Sequence, residues 1–181
     1  MNTANASTRT KMPGTSTPIG MLVHILDQAF ERRAWHGTNL RGSLRGVTAR
    51  QAEWRPAGGR HNIWELAVHS SYWKYCVRRR LLGEKRGGFA LKGSNFWVLP
   101  QEGRVATERD WSEAVKLLDA EHRKLRLAVE GFPAARLFRR VERSRWNYFE
   151  TIVGAASHDL YHAGQIQLLK RLMSSRRPAI K

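Results

Sequence analysis

The sequence of 181 residues predicts an all-α protein, a four-helix bundle joined by long crossover connections. Three observations carry that reading. Apolar residues return at helical spacing in four separate segments. Helix start and stop residues bracket those segments. No stretch alternates polar and apolar for long, and "ARLFRRV" at 135–141 is only a weak strand candidate.

The first helix is expected over 19–44. Pro18 suits a first turn, and Leu22, Ile25, Leu26, Ala29 and Phe30 make its apolar face; Gly37 and Gly42 weaken its second half. "VTARQAEWRP" follows as a short helical turn stopped before Pro56. The second long helix is expected over 63–82. Asn62 is a good N-cap with Glu65 three residues on, as in a capping box, and Gly83 ends the segment. Ile63, Leu66, Ala67, Trp73 and Val77 mark its apolar face. Residues 83–106 break every period and form a long loop; Phe89, Phe96 and Trp97 give it something to pack with. The third helix is expected over 108–130, started by Thr107 with Asp110 and stopped by Gly131 and Pro133, with Trp111, Val115, Leu118, His122 and Leu125 in one stripe. An irregular link leads to the fourth, over 147–173, capped by Ser144 or Asn147. Residues 1–17, rich in Thr, Ser and Asn, read as a flexible arm, 18–175 as the bundle and 176–181 as a basic tail.

Composition sets the outer bounds. Apolar residues at 41%, with seven tryptophans, exceed what a disordered chain carries. No run is long and apolar enough for a membrane span, and the N-terminus lacks the apolar core of a secretory signal. The single cysteine, Cys76, excludes an internal disulfide and a cysteine-based zinc cluster, so a cytoplasmic protein is expected and any metal site is built from histidine, carboxylate and water. A net charge of +17 raises nucleic-acid binding as an alternative function. That charge is spread along the chain rather than gathered, and most of it is arginine.

The chemistry lies in the histidines. In "HDLYHAGQI", at about 100° per residue, His162 falls about 40° from His158 and Gln165 about 20° to the other side. Thr151, Gly154, Ala155, Leu169 and Leu172 share the sector, which places both histidines on the stripe expected to face inward, with Asp159, Gln167 and Lys170 off it. Two imidazoles one turn apart can aim at one metal ion, and the small Gly154 and Ala155 leave space beside it. His69, on the second helix, is the candidate third ligand, since a bundle can bring it opposite the pair. The competing reading makes each a hydrogen-bonded core histidine. Asp159 stands where zinc proteases carry a glutamate but points away, so it is not assigned as a general base. His24 and His122 are expected to pack on apolar faces, and His36 and His61 to lie exposed or in loops. Gln165 is a candidate to orient a ligand, or a polar tie between helices; Tyr72 and Tyr161 are further polar contacts. Cys76 is a candidate fourth ligand or an inert buried thiol.

"HDLYHAGQI" and "WRPAGGRHNIWELAVHSSYW", in this order of helices, resemble the signatures of the DinB/YfiT-like family of metal-binding bundles. The resemblance spans about residues 19–173 and is strongest at 54–73 and 146–170. It implies a four-helix bundle with a long crossover, with metal ligands carried over to His69, His158 and His162. The implied cofactor is a divalent ion, zinc or nickel foremost. The implied function is that of a metal-dependent enzyme on a small molecule: thiol S-transfer with a low-molecular-weight thiol, or hydrolysis. The N-terminal arm and the strong positive charge are not part of that pattern. Two other readings stand beside it: a basic nucleic-acid-binding bundle, and a bundle whose metal is structural or absent. A homodimer through exposed aromatics such as Trp97 is a further expectation.

Overall fold

The structure, a computed structural model, describes residues 16–175 apart from Ser94 and Glu102. All but the last two residues of the expected arm, and the whole basic tail, lie outside the described residues. The fold is all-helical, and the only strand-like feature among the described residues is an isolated bridge between Arg140 and Asn147. The helices are α1 (Pro18–Phe30), α2 (Leu40–Ser43), α3 (Ala49–Glu53), α4 (Ile63–Leu82), α5 (Glu108–Glu130) and α6 (Tyr148–Ser175); a short 3-10 turn at Ala134–Arg136 overlaps the start of the weak strand candidate, which keeps only the bridge at Arg140.

Local chemistry sets the boundaries. The Thr17 hydroxyl caps α1 by accepting from the Gly20 amide at 3.0 Å. α1 then stops at Phe30, well short of the expected 44. Gly37 sits at φ 94, a conformation L side chains rarely adopt, and the chain turns there. Asn39 starts α2 by accepting from the Gly42 amide at 2.8 Å, while its own side-chain amide donates to the Arg32 carbonyl at 2.8 Å and closes the turn. Full capping boxes open α3 (Thr48 with Gln51) and α4 (Asn62 with Glu65). Gly83, left-handed at φ 70, ends α4. Of the two caps expected for α6, Asn147 serves: Glu150 N donates to its side chain and Asn147 N to the Glu150 carboxylate, both at 2.8 Å.

The four long helices form a closed ring in which α1 and α4 each pack on both α5 and α6. The apolar core comes as two clusters, one at each end. The first joins Leu22 and Leu26 of α1, Val77 and Leu81 of α4, Leu125 and Val129 of α5 and Ile152 of α6. The second joins Leu66 of α4, Leu118 of α5 and Ile166 of α6 with α2 and α3 residues such as Leu40 and Ala52. Their sequence order shows that α4 and α5 run parallel to each other and antiparallel to α1 and α6. A 20-residue helix spans about 30 Å, so the chain after α4 must travel back that distance before α5 begins. The long connection at 83–107 does so.

A polar layer separates the two clusters, with one residue from each long helix: Asp27 of α1, Lys74 of α4, His122 of α5 and Asp159 of α6, all at most 2% exposed. The Lys74 ammonium pairs with the Asp159 carboxylate and lies 3.4 Å from His122 Nδ1. It also sits 4.7 Å over the Phe30 ring, on which His122 stacks at 3.8 Å. His122 Nε2 faces Asp27 at 3.8 Å, and Asp27 accepts from Arg126 Nε at 2.9 Å. Burial first, and then the Lys74 charge, push the His122 imidazole down to about 2.

This layer turns α6 relative to the expectation from apolar pattern. Its buried stripe runs through Ile152, Ala155, Ala156, Asp159, His162, Ala163, Ile166 and Leu169. That is about a quarter-turn from a stripe centred on His158, at about 100° per residue. Asp159, expected off the stripe, lies within it because Lys74 neutralises it; Leu172, expected inside, is 42% exposed.

Candidate metal centre

The quarter-turn brings His158 and His162 to the edge of the α6 stripe that faces α4. His162 and His69 are buried, and His158 is half-buried. His69 Nε2 lies 3.1 Å from His158 Nε2, and His162 Nε2 lies 3.0 Å from the same atom. One nitrogen from each ring falls within 4.8 Å of the others. Two nitrogens on a tetrahedral zinc ion, each about 2.0–2.1 Å from it, stand about 3.3 Å apart, so the spacing here suits three ligands of one small cation.

The far side of two of these rings is fixed. His69 Nδ1 donates to the Asn95 carbonyl at 2.8 Å, and His162 Nδ1 donates to the Gln165 side-chain oxygen at 2.6 Å. Those bonds leave both Nε2 atoms as lone-pair donors aimed at the cluster. His158 has at most one Nε2 proton to offer the two neighbours that face it. The pocket is therefore electron-rich and short of positive charge at its centre. Burial, reinforced by the neighbouring imidazoles and Lys74, pushes His158 down to about 3. Burial pushes His162 down to about 4 against the opposing Gln165 bond. Burial likewise lowers His69, against the Asn95 bond that favours its protonated form. All three are neutral near neutrality, the form that ligates a metal.

The long connection closes over the cluster. Asn95 takes a left-handed backbone at φ 68, which turns its carbonyl to His69, and its side-chain oxygen accepts from Trp73 Nε1 at 3.1 Å. Phe96 lies flat between two imidazoles, stacking on His69 and on His61 at 3.8 Å each. The entry turn to α4 is fixed at Glu65, a buried carboxylate that pairs with Arg55 and accepts from Leu99 N at 3.2 Å and from His61 Nδ1 at 3.0 Å. Burial alone would raise this carboxyl, but Arg55, His61 and Leu99 together hold it below its ordinary value. The Trp-Arg-Pro turn thus holds both the start of α4 and the end of the loop that covers His69.

Beside the cluster opens a cavity of about 480 Å³ that His158, Trp73, Arg80, Trp146 and Gly154 help to line. A Cβ added at Gly154 would meet nothing within 4 Å, so the glycine leaves that wall open. The other expected residues take different places. Gln165 orients the His162 ring. Tyr161 is 65% exposed, its ring edge-on to His162. Cys76 is buried but is not among the residues that gather with the histidines. His24 and Trp97 are half-buried, the latter donating from Nε1 to the Lys92 carbonyl at 2.7 Å, so it is not a freely exposed aromatic; Trp35 is fully exposed. Asn95, Phe96 and Lys74 were not singled out for the site. A lysine inside an otherwise inward-facing helix is a legible sign for Lys74, whereas a loop asparagine carries none.

An all-α bundle whose parallel middle helices are linked by a long crossover, and in which α4 gives one imidazole and α6 two, defines the class. The family model described as DinB superfamily matches residues 32–166, well over half of the chain. The chain belongs to the DinB superfamily. No curated protein and no solved structure matches it. No helix among the described residues is long and apolar enough to cross a membrane.

Proposed function

We propose that His69, His158 and His162 hold one divalent cation, zinc or nickel, and that the protein is a metal-dependent enzyme acting on a small molecule. The observation that carries this is the convergence of three neutral Nε2 atoms, two of them 3.0 and 3.1 Å from the third. Asn95 and Gln165 would serve as the outer partners that hold a ligand histidine's tautomer and orientation. Such an ion, when bound, supplies Lewis acidity, which favours hydroxide or a substrate thiolate near neutral pH. The family resemblance favours thiol S-transfer over hydrolysis. His158 borders the open cavity, and Gly154 keeps that approach clear for substrate.

Elemental analysis of protein produced without a histidine tag tests the reading. Stoichiometric metal is expected in the wild type and a loss of most of it in each of His69→Ala, His158→Ala and His162→Ala, with helicity by circular dichroism retained. Full metal content in all three variants, or none in a wild type refolded with zinc or nickel, overturns it.

The charge of +17 favours one other reading, a bundle that binds nucleic acid. Retention on DNA with a steep salt slope would support it, and no retention at moderate salt would dismiss it.

A further inference from the structure

A second cavity, of about 560 Å³, lies between α4 and the long connection that folds back against it. Four cationic side chains line it, Arg79, Arg80, Arg86 and Lys92, and no carboxylate does. Several arginines elsewhere on the bundle do stand beside an acid. Arg41 pairs with Asp119 at 2.8 Å, Arg55 with Glu65, and Arg126 with Asp27 and Glu130. Among the described residues no acid pairs with Arg80, Arg86 or Lys92. Arg79 donates from one terminal nitrogen to the Glu84 carbonyl, while its buried Nε has no partner. Buried guanidinium donors without acceptors are costly unless a ligand supplies the oxygens. The remaining wall is aromatic, with Tyr72, Tyr75 and Phe89 packed on one another at ring separations of 5.3–6.2 Å.

This cavity adjoins the imidazole cluster. Trp73 and Arg80 line both it and the cavity that His158 borders. Asn95 also lines it, and the Asn95 carbonyl is the acceptor that fixes His69. Its volume is that of a small-molecule site rather than of a flat surface for a macromolecule. Planar guanidinium forks match carboxylate and phosphate oxygens. The Cys76 thiol reports the same field: burial raises it, while Tyr72 and then the charges of Arg80, Arg79 and Arg86 work against that rise.

We propose that this cavity is the anion-holding part of the substrate site. It takes a small molecule with two or more negative charges, carboxylates or phosphates, whose reacting end extends past Trp73 and Arg80 to the imidazole cluster. The proposal rests on the metal-dependent reading for the reacting end, but not for the binding of the anion.

Citrate and pyrophosphate are the probes, each titrated by calorimetry into the full chain at constant ionic strength after removal of bound metal, because both also chelate zinc and nickel. The proteins are the wild type, Arg80→Met, Arg86→Met, Arg50→Met as an exposed control, and His158→Ala. Saturable binding of at least one probe is expected, weakened tenfold or more by Arg80→Met and by Arg86→Met, and unchanged by Arg50→Met. A preference for citrate or pyrophosphate then separates carboxylate from phosphate. His158→Ala should keep the binding even where it removes metal, so failure of the metal reading and failure of this one are read separately. Equal weakening by Arg50→Met, no saturable binding of either probe, or binding of short duplex DNA that alone depends on Arg80 and Arg86, overturns the proposal. Unchanged melting temperatures in the arginine variants exclude misfolding as the cause of a loss.

Discussion

Two buried polar clusters sit next to each other on α6, and they are built on opposite principles. The layer through Asp27, Lys74, His122 and Asp159 carries both signs of charge and pairs them: Lys74 faces Asp159, and Asp27 faces Arg126 and Arg32, while His122 Nε2 and the second Asp159 oxygen have no hydrogen-bond partner. The cluster of His69, His158 and His162 holds no charged partner at its centre, where His158 offers at most one proton to two lone pairs, and the bonds that fix the His69 and His162 rings face outward to Asn95 and Gln165. Asp159 and His158 are neighbours in sequence, yet one belongs to each. A closed network can fix the rotation of α6 with nothing added. An open one presents chemistry to something that arrives. Burial of polar side chains alone does not tell these apart; the charge each carries does, both signs in the layer and none on the three imidazoles.

The largest expected effect comes from breaking the closed network. Asp159→Leu leaves the Lys74 charge buried without its partner, and a loss of about 3–5 kcal/mol is expected in urea unfolding. The paired change Lys74→Met with Asp159→Leu should restore most of it, since a matched apolar pair replaces the ions. A single variant as stable as the wild type would show that the layer does not hold a buried charge pair.

A smaller effect is expected at the open cluster. Gln165→Leu removes the acceptor of the His162 Nδ1 proton and should weaken metal binding about 10–100-fold in a chelator competition, with Gln165→Glu retaining the acceptor and most of the affinity. Unfolding of the metal-free Gln165→Leu protein should change little, because Gln165 is only half-buried. Equal losses in stability and in metal affinity would erase the distinction between the two clusters.

The smallest effect per step is in pH. Folded His122 gains its proton only near pH 2, whereas an unfolded histidine gains it near 6.5. Between those values the unfolded chain binds the extra proton, so stability is complete above about pH 6.5 and falls as pH is lowered, by about 1.4 kcal/mol per unit for this one group. His122→Gln should flatten the pH slope of urea unfolding between pH 6 and 4 by about that amount. An unchanged slope would mean that His122 is already protonated in the fold, with Asp27 and not Lys74 dominating its surroundings.

Much of this was legible in the residues, and the misses share a cause. Caps at Asn62, Thr107 and Asn147 and the stop at Gly83 fixed the long helices, because each acts through bonds a few residues away. The two-histidine turn of α6 was legible for the same local reason. The end of α1 was not, because Leu40 and Leu44 continue an apolar pattern that belongs to the core although their helix does not belong to α1. The rotation of α6 was not, because Asp159 reads as surface until Lys74 is placed opposite it. The partner of His69 was not, because Asn95 lies 26 residues away and meets it only after the crossover has run back along α4. Local rules cannot reach across that distance.

The crossover has one more consequence. Because α4 and α5 run parallel, the strip of chain that must return between them also supplies the carbonyl behind His69 and the ring lying on it. A protease nick there would leave the four rods assembled and still strip the imidazole of its outer support. The assembly of the helices and the support of the His69 ring therefore rest on separate parts of one chain.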